Sequence, residues 1–326
     1  MSAMKKSLSE LSLCSGFAIA LLPAMSGLVC AQEYPGAKPI RILTSQAGSG
    51  SDIIARITAE RLFSGIGQRA IVDNRGILAP EIAAKAPADG YTVLFYSTPL
   101  WVFPLMSKTA HWNTLEDFTA VTLAVNSPNI LVVHPSLPVK NVKELIALAR
   151  ARPGQLNYGS GSSGSTSHLG AVLFNAMTGV DIVRIPYRGV GPALLGLLGG
   201  QVQVMFPGAS SALPYLNIGK LRALAVASAK PTVLVPDLPT IASAGVPGYE
   251  ADTPLGVFLP AGTPQKTIDQ LNQAIVAALA GAETRKLVLA QGAEVVGSTP
   301  GVLTALIRAE TARWSKLILQ KNLSED

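Results

Sequence analysis

The sequence predicts an α/β protein with mostly parallel strands, on three observations. Short apolar runs alternate with amphipathic stretches of helical period from Pro39 to the end of the chain. Glycine- and proline-rich punctuation separates them, as in "APADGYT" at 86–92, "ARPGQLNYGS" at 151–160 and "VPDLPTIASAGVPGYE" at 235–250. A local unit of strand, glycine-serine loop and helix recurs three times, and no longer tandem repeat is present.

In chain order, the apolar runs at 40–44, 92–96, 130–133, 202–206 and 223–227 read as strands. Helices announce themselves by spacing. Ile53, Ile54, Ile57 and Leu62 share one face; so do Val142, Leu145, Ile146 and Ala149, and again Leu169, Val172, Leu173 and Ala176. The helix from Val142 opens on Asn141, with Glu144 three residues on, which is a capping box. Two more helices close the chain, one carrying Ile268, Leu271 and Ile275, the other Leu303, Leu306, Ile307 and Trp314. These stripes are core, and at 48% hydrophobic residues the 326-residue chain can bury cores for one or two domains.

The first thirty residues read as a secretory signal peptide. Lys5 and Lys6 precede an apolar run centred on 17–22, and Val29, Cys30 and Ala31 offer small residues for cleavage after Ala31. Pro23 and Gly27 interrupt the run before it could span a bilayer. Lipidation at Cys30 is the weaker reading, because Gly27-Leu28-Val29 is a poor approach to a lipidated cysteine. Both cysteines, Cys14 and Cys30, would leave with residues 1–31, so the exported chain is expected to hold no thiol, disulfide or cysteine-bound metal.

Loss of two lysines and Glu10 with that segment takes the formal charge from +6 to +5. Only 14% of residues are charged and no run of Lys or Arg forms a nucleic-acid patch, so nucleic acid is not an expected partner.

The three recurring loops carry the chemistry. "ILTSQAGSGSDIIAR" at 42–56, "LNYGSGSSGSTSHLG" at 156–170 and "IPYRGVGPALL" at 185–195 each leave a helix N-terminus open on small residues. Such an end has unpaired N–H groups and a partial positive charge, and it attracts phosphate, sulfate or carboxylate. A dinucleotide site would need a third glycine where Ile53 stands, and no P-loop pattern is present. His111, His134 and His168 lack metal-ligand spacing and read as surface or local hydrogen-bonding residues. "GASSA" at 208–212 is a weak likeness of a nucleophile elbow; it keeps open an exported serine hydrolase using Ser210 with His134 or His168. Asp52, at a helix start, is either a cap or a ligand-facing carboxylate.

Over residues 34–318 the chain resembles the substrate-binding proteins of tripartite tricarboxylate transporters, the periplasmic receptors also called Bug proteins. The stretches that carry the likeness are "YPGAKPIRIL", the loop ending in Asp52, "GQRAIVDNR", "AKAPADGYTVL" and "SPNILVVHPSLPVKNVKELIALARARPGQLNYGS". They continue through "SSGSTSHL", "IPYRGVGPALLGLLGGQVQVMF", "GKLRALAVAS", "VPDLPTIASAGVPGYE" and "LPAGTPQ", in that order.

The resemblance implies a two-lobed type II periplasmic binding protein, hinged and closing on a ligand in the cleft between its lobes. Lobe one would hold 32–125 and 250–326, and lobe two 126–249. It implies that Ser45, Gln46, Gly48, Ser49, Gly50, Ser51 and Asp52, with Ser97 and Thr98, face the cleft from lobe one. From lobe two would come Ser160, Gly161, Ser162, Ser163, Ser165 and Thr166, with Arg188 and Gly189. The implied ligand is a small mono- or dicarboxylate, and the implied partners are inner-membrane subunits of a tripartite transporter, or else a sensor. No cofactor, metal or catalytic residue is expected, and the expected state is a monomer.

Three departures stand out. Ser45-Gln46-Ala47 replaces the family's aromatic and proline residues, Gly76-Ile77-Leu78-Ala79-Pro80 stands in place of a longer glycine-rich turn, and Pro207-Gly208 stands where many relatives carry an acid.

Overall fold

The computed structural model describes residues 34–321 apart from 35, 37 and 67, and the signal-peptide reading lies outside them. The chain opens with β1 (Ile40–Thr44), α1 (Gly50–Ile66), β2 (Ala70–Asn74), a 3-10 turn (Gly76–Leu78), α2 (Ala79–Ala84) and β3 (Thr92–Tyr96). After α3 (Pro99–Met106) and α4 (Thr114–Asp117) comes a long strand, β4 (Phe118–Ser127). Next follow β5 (Ile130–Val133), α5 (Val142–Ala151), β6 (Leu156–Ser160), α6 (Thr166–Thr178), β7 (Ile182–Pro186), α7 (Val190–Leu198), β8 (Val204–Met205), α8 (Ala209–Asn217) and β9 (Arg222–Val226). The chain then returns through β10 (Thr253–Pro260), α9 (Gln265–Ala280), α10 (Ala282–Ala290), β11 (Glu294–Val295) and α11 (Pro300–Lys321).

Two sheets result, in the orders β11-β4-β10-β3-β1-β2 and β7-β6-β8-β5-β9. The expectation of mostly parallel strands needs correcting. β1 pairs in parallel with β2 and β3, and β6 with β7 and β8. By contrast β10 is antiparallel to β3 and β4, β11 to β4, and β5 to β8 and β9. The cause is topological: β4 leaves the first sheet for the second and β10 comes back, so the two lie side by side in opposite senses. The strand expected at 202–206 pairs only at Val204 and Met205, and that expected at 223–227 starts one residue earlier.

Helix stripes bury as their spacing requires. Ile54 and Leu62 of α1 join Ile268, Leu271 and Ile275 of α9 on one side of the six-stranded sheet. Leu303, Ile307 and Trp314 of α11 pack on the other with α3. The Asn141 side chain accepts from Glu144 N–H at 2.9 Å, the forward half of the capping box, while the Glu144 carboxylate reaches back to Lys140 N–H at 2.7 Å, one residue before the cap.

The passage between sheets is tied by side chains. Asn129, fully buried, donates to Ala251 O at 3.0 Å and accepts from Thr253 Oγ1 at 3.0 Å. Asn126 donates to Asp252 Oδ2 at 2.7 Å. Both connecting segments are therefore held to each other where they cross.

Candidate functional site

Between the sheets lies a cavity of about 180 Å³, walled from both sides. Its first wall is the loop from β1 to α1. Gly48, at φ 76°, turns the chain, and Ser45 Oγ lies 2.7 Å from Ser49 Oγ. Asn74, at the end of β2, donates to Ser45 O and to Asp52 Oδ1, both at 3.0 Å. Asp52 also accepts from Gly48 N–H at 2.8 Å and Arg56 Nε at 2.9 Å. Both of its oxygens are thus used inside the loop, and Asp52 is buried.

The second wall is the loop from β6 to α6. Gly161 N–H donates to Ser167 Oγ at 3.1 Å, Gly164 N–H to His168 Nδ1 at 3.2 Å, and His168 N–H to the Ser165 cap at 3.4 Å. Arg184, on β7, reaches beneath this loop to Ser160 Oγ at 2.9 Å and Ser163 Oγ at 3.2 Å. Burial, reinforced by the Arg184 charge, pushes the His168 imidazole down to about 3. It stays neutral at any physiological pH and holds Gly164 in place.

Of the residues expected at the site, Ser45, Gln46, Ser49, Gly50, Ser51 and Ser97 line the cavity from the first sheet's side. Ser162, Ser163, Ser165 and Thr166 line it from the second. Seven do not. Gly48 and Asp52 frame the first loop from behind, for the bonding reasons just given. Thr98 is buried in the first turn leading to α3, and Ser160 is fully buried under Arg184. Gly161 lies against the start of α7, where a Cβ would stand 3.5 Å from Val190 N. Arg188 is exposed to solvent, and at the Gly189 turn it is Val190 that reaches the cavity.

The sequence reading missed other lining groups. Ser127 and Thr253 come from the crossing strands, and Gln291 from the end of α10. Gly208, Ser210 and Ser211 bring in a third open helix start, that of α8. Its signal was present in "GASSA", a run of small residues before a helix like those of the other loops. Gly292, at φ 69°, packs on that helix start: a Cβ there would stand 2.6 Å from Ser210 Cα. Apolar surface comes from Ile54, Ile77, Val125, Leu255 and Ala293.

Among the described residues no lining side chain is an Asp, Glu, Lys, Arg or His. The polar groups are hydroxyls, the amides of Gln46 and Gln291, and the N–H groups of helix starts, which helix geometry leaves without a partner inside the helix. Such donors favour an anion without a full countercharge. The histidines weighed for a hydrolase are engaged locally: His134 Nδ1 lies 2.7 Å from Ser136 Oγ, and His168 is a weak base at a pKa of about 3.

The family model described as tripartite tricarboxylate transporter family receptor matches residues 54–323. The chain belongs to that family. Its receptors are periplasmic binding proteins, and no helix among the described residues here is long and apolar enough to cross a membrane. A Pseudomonas sp. (strain P51) protein from the tcbD-tcbE intergenic region is 34% identical over 315 residues, 95% of this chain and 94% of that protein. Protein BugT of Bordetella pertussis is 35% identical over 297 residues, 89% of this chain and 91% of that one. Among solved structures, R. palustris Rpa4515 with adipate superposes with a TM-score of 0.82 at 36% identity, covering 89% of this chain and 99% of that one. MatC of Rhodopseudomonas palustris with bound malate gives 0.77 at 29% identity, covering 86% and 98%. The α/β fold of this tripartite tricarboxylate transporter receptor is accordingly the two-lobed periplasmic-binding-protein type.

Proposed function

We propose that this receptor captures a small organic acid, a mono- or dicarboxylate, in the cavity between its sheets and delivers it to a tripartite membrane transporter. The observation that carries the reading is a cavity lined by no charged side chain among the described residues, onto which the starts of α1, α6 and α8 open. Neutral N–H and O–H donors bind a carboxylate by charge-assisted hydrogen bonds, and enclosure strengthens each by excluding water. The adipate and malate held by the two R. palustris relatives support the same ligand class.

The described residues of 32–125 and 250–326 form one lobe and those of 126–249 the other, and hinge motion at the paired crossings near Asn129 and Thr253 couples ligand capture to recognition by the membrane partner. The protein does no chemistry on its ligand. Leader removal after Ala31 places it in the periplasm, where it acts as a monomer.

A thermal-shift panel on the purified chain 32–326, with organic acids, sugars and amines, tests the ligand class. Stabilisation by one or more carboxylates is expected. Stabilisation by sugars or cations alone would exclude it.

A further inference from the structure

We infer that Asp252 makes closure of the lobes proton-dependent: the closed hinge holds this carboxyl as a neutral acid, and its ionisation favours the open form. The inference rests on the hinged two-lobe reading above and not on the class of ligand.

Position comes first. Asn126 lies near the end of β4, where the chain leaves the first sheet, and Asp252 directly precedes β10, where it returns. The Asn126–Asp252 bond of 2.7 Å joins these two segments, and Asn129 joins them again through Ala251 O and Thr253 Oγ1. Rotation of one lobe on the other has to bend both segments, so the pair lies where the motion is concentrated.

A second tie stands beside it. Glu294 is opposite Asn126 in the β11–β4 ladder and accepts from Thr232 Oγ1, a buried hydroxyl in the segment between β9 and β10. That bond runs from the second lobe to the first. Opening would part it and let water reach the carboxyls behind.

The chemistry of the pair then sets the direction. Asp252 Oδ1 and Asn126 Oδ1 are both buried acceptors without a partner among the described residues. An ionised carboxylate only accepts, which leaves both oxygens unmet; a proton on Asp252 supplies the donor that the pair lacks. The groups around it are Glu250 on the same segment, Glu294 on β11 and Glu310 on α11, all acidic, with Tyr249 neutral and bonded to Gly170 O. Arg313 of α11 donates Nη1 to Glu250 O at 2.9 Å and Nη2 to Glu310 at 2.8 Å. Burial foremost, and these acids after it, hold the Asp252 carboxyl up at about 7 against the Asn126 bond. Water in an opened hinge would return it toward the ordinary value of about 4.

The closed form therefore binds the proton more tightly than the open one. Ligand affinity should be level below pH about 4, fall by at most about tenfold per unit as pH rises toward 7, and level off above.

Titration calorimetry with malate and with adipate, on the parent chain and Asp252→Asn, tests this. Between pH 5.5 and pH 8 the parent-to-variant affinity ratio should fall at least about tenfold, the variant cancelling the ligand's own ionisation. At pH 6.5, in two buffers of different ionisation enthalpy, binding should take up more proton in the parent than in the variant, by up to about one. A constant ratio, or equal proton counts, would overturn the inference while leaving carboxylate binding standing. If neither acid binds, which counts against the carboxylate reading alone, small-angle scattering of the ligand-free chains decides. The parent should then be more compact at pH 5.5 than at pH 8 and Asp252→Asn compact at both, whereas parent and variant alike at each pH would overturn it.

Discussion

Asn126 Nδ2 donates to Asp252 Oδ2 at 2.7 Å across the crossing strands, while the amide oxygen, Asn126 Oδ1, and the second carboxyl oxygen, Asp252 Oδ1, are buried with no hydrogen-bond partner among the described residues. Two orphaned acceptors on one bonded pair are the pattern of an acid-amide pair that is complete when the acid carries its proton. Burial is the main reason the Asp252 carboxyl is pushed up to about 7, with Glu250, Glu294 and Glu310 adding to it and the Asn126 bond opposing it. Arg313 offsets part of that acidic surround by pairing with Glu310 at 2.8 Å.

The sign of the pH effect follows. Below pH about 4 folded and unfolded chains both carry the proton; between about 4 and 7 only the unfolded carboxyl has lost it, so stability falls as pH rises, by at most about 1.4 kcal/mol per unit. Above that window the effect levels off. Asp252→Asn mimics the neutral form, and urea unfolding should find it about 1–3 kcal/mol more stable than the parent at pH 8, with the two alike near pH 4.

Gly292 predicts a closure defect. A side chain there would drive into the start of α8, and its φ of 69° disfavours any other residue. Gly292→Ala should weaken ligand binding at least about tenfold and cost about 1–3 kcal/mol of stability. Calorimetry and small-angle scattering, which should show a more open chain, check both.

Asp52 and Arg188 should part company. Asp52→Ala removes the acceptor for Gly48, Arg56 and Asn74, so it should cost about 1–3 kcal/mol and loosen the first wall. Arg188→Ala, at an exposed turn, should change stability by less than about 0.5 kcal/mol and leave affinity unaltered. Arg184→Met is the informative basic substitution, since it unpins Ser160 and Ser163 and should lower affinity.

These contrasts also mark what the sequence made legible. β1, β3 and β5 coincide with their apolar runs because β-branched and aliphatic residues bounded by loop residues leave little choice of boundary. The glycine-serine loops were legible because small residues before a helical stripe mean an open helix start. The antiparallel crossing was not, since strand sense depends on which sheet the chain re-enters, and no local pattern encodes that. Nor was Arg184 distinguishable from Arg188 in "VRIPYRGV": only the pleat of β7 and the loop above it decide which guanidinium lies under the site. Asp52 was undecided for a similar reason, because a helix-start carboxylate turns inward or outward according to partners such as Asn74, 22 residues away.

The proposed function puts a carboxylate on neutral helix starts between the sheets. A crystal structure of the chain grown with adipate tests it most directly. Carboxylate oxygens are expected within about 3 Å of N–H or hydroxyl groups of Gly50, Ser51, Thr166 or Ser210, with no Lys or Arg side chain in contact. A carboxylate outside this cavity, or one paired to a basic side chain, would contradict it.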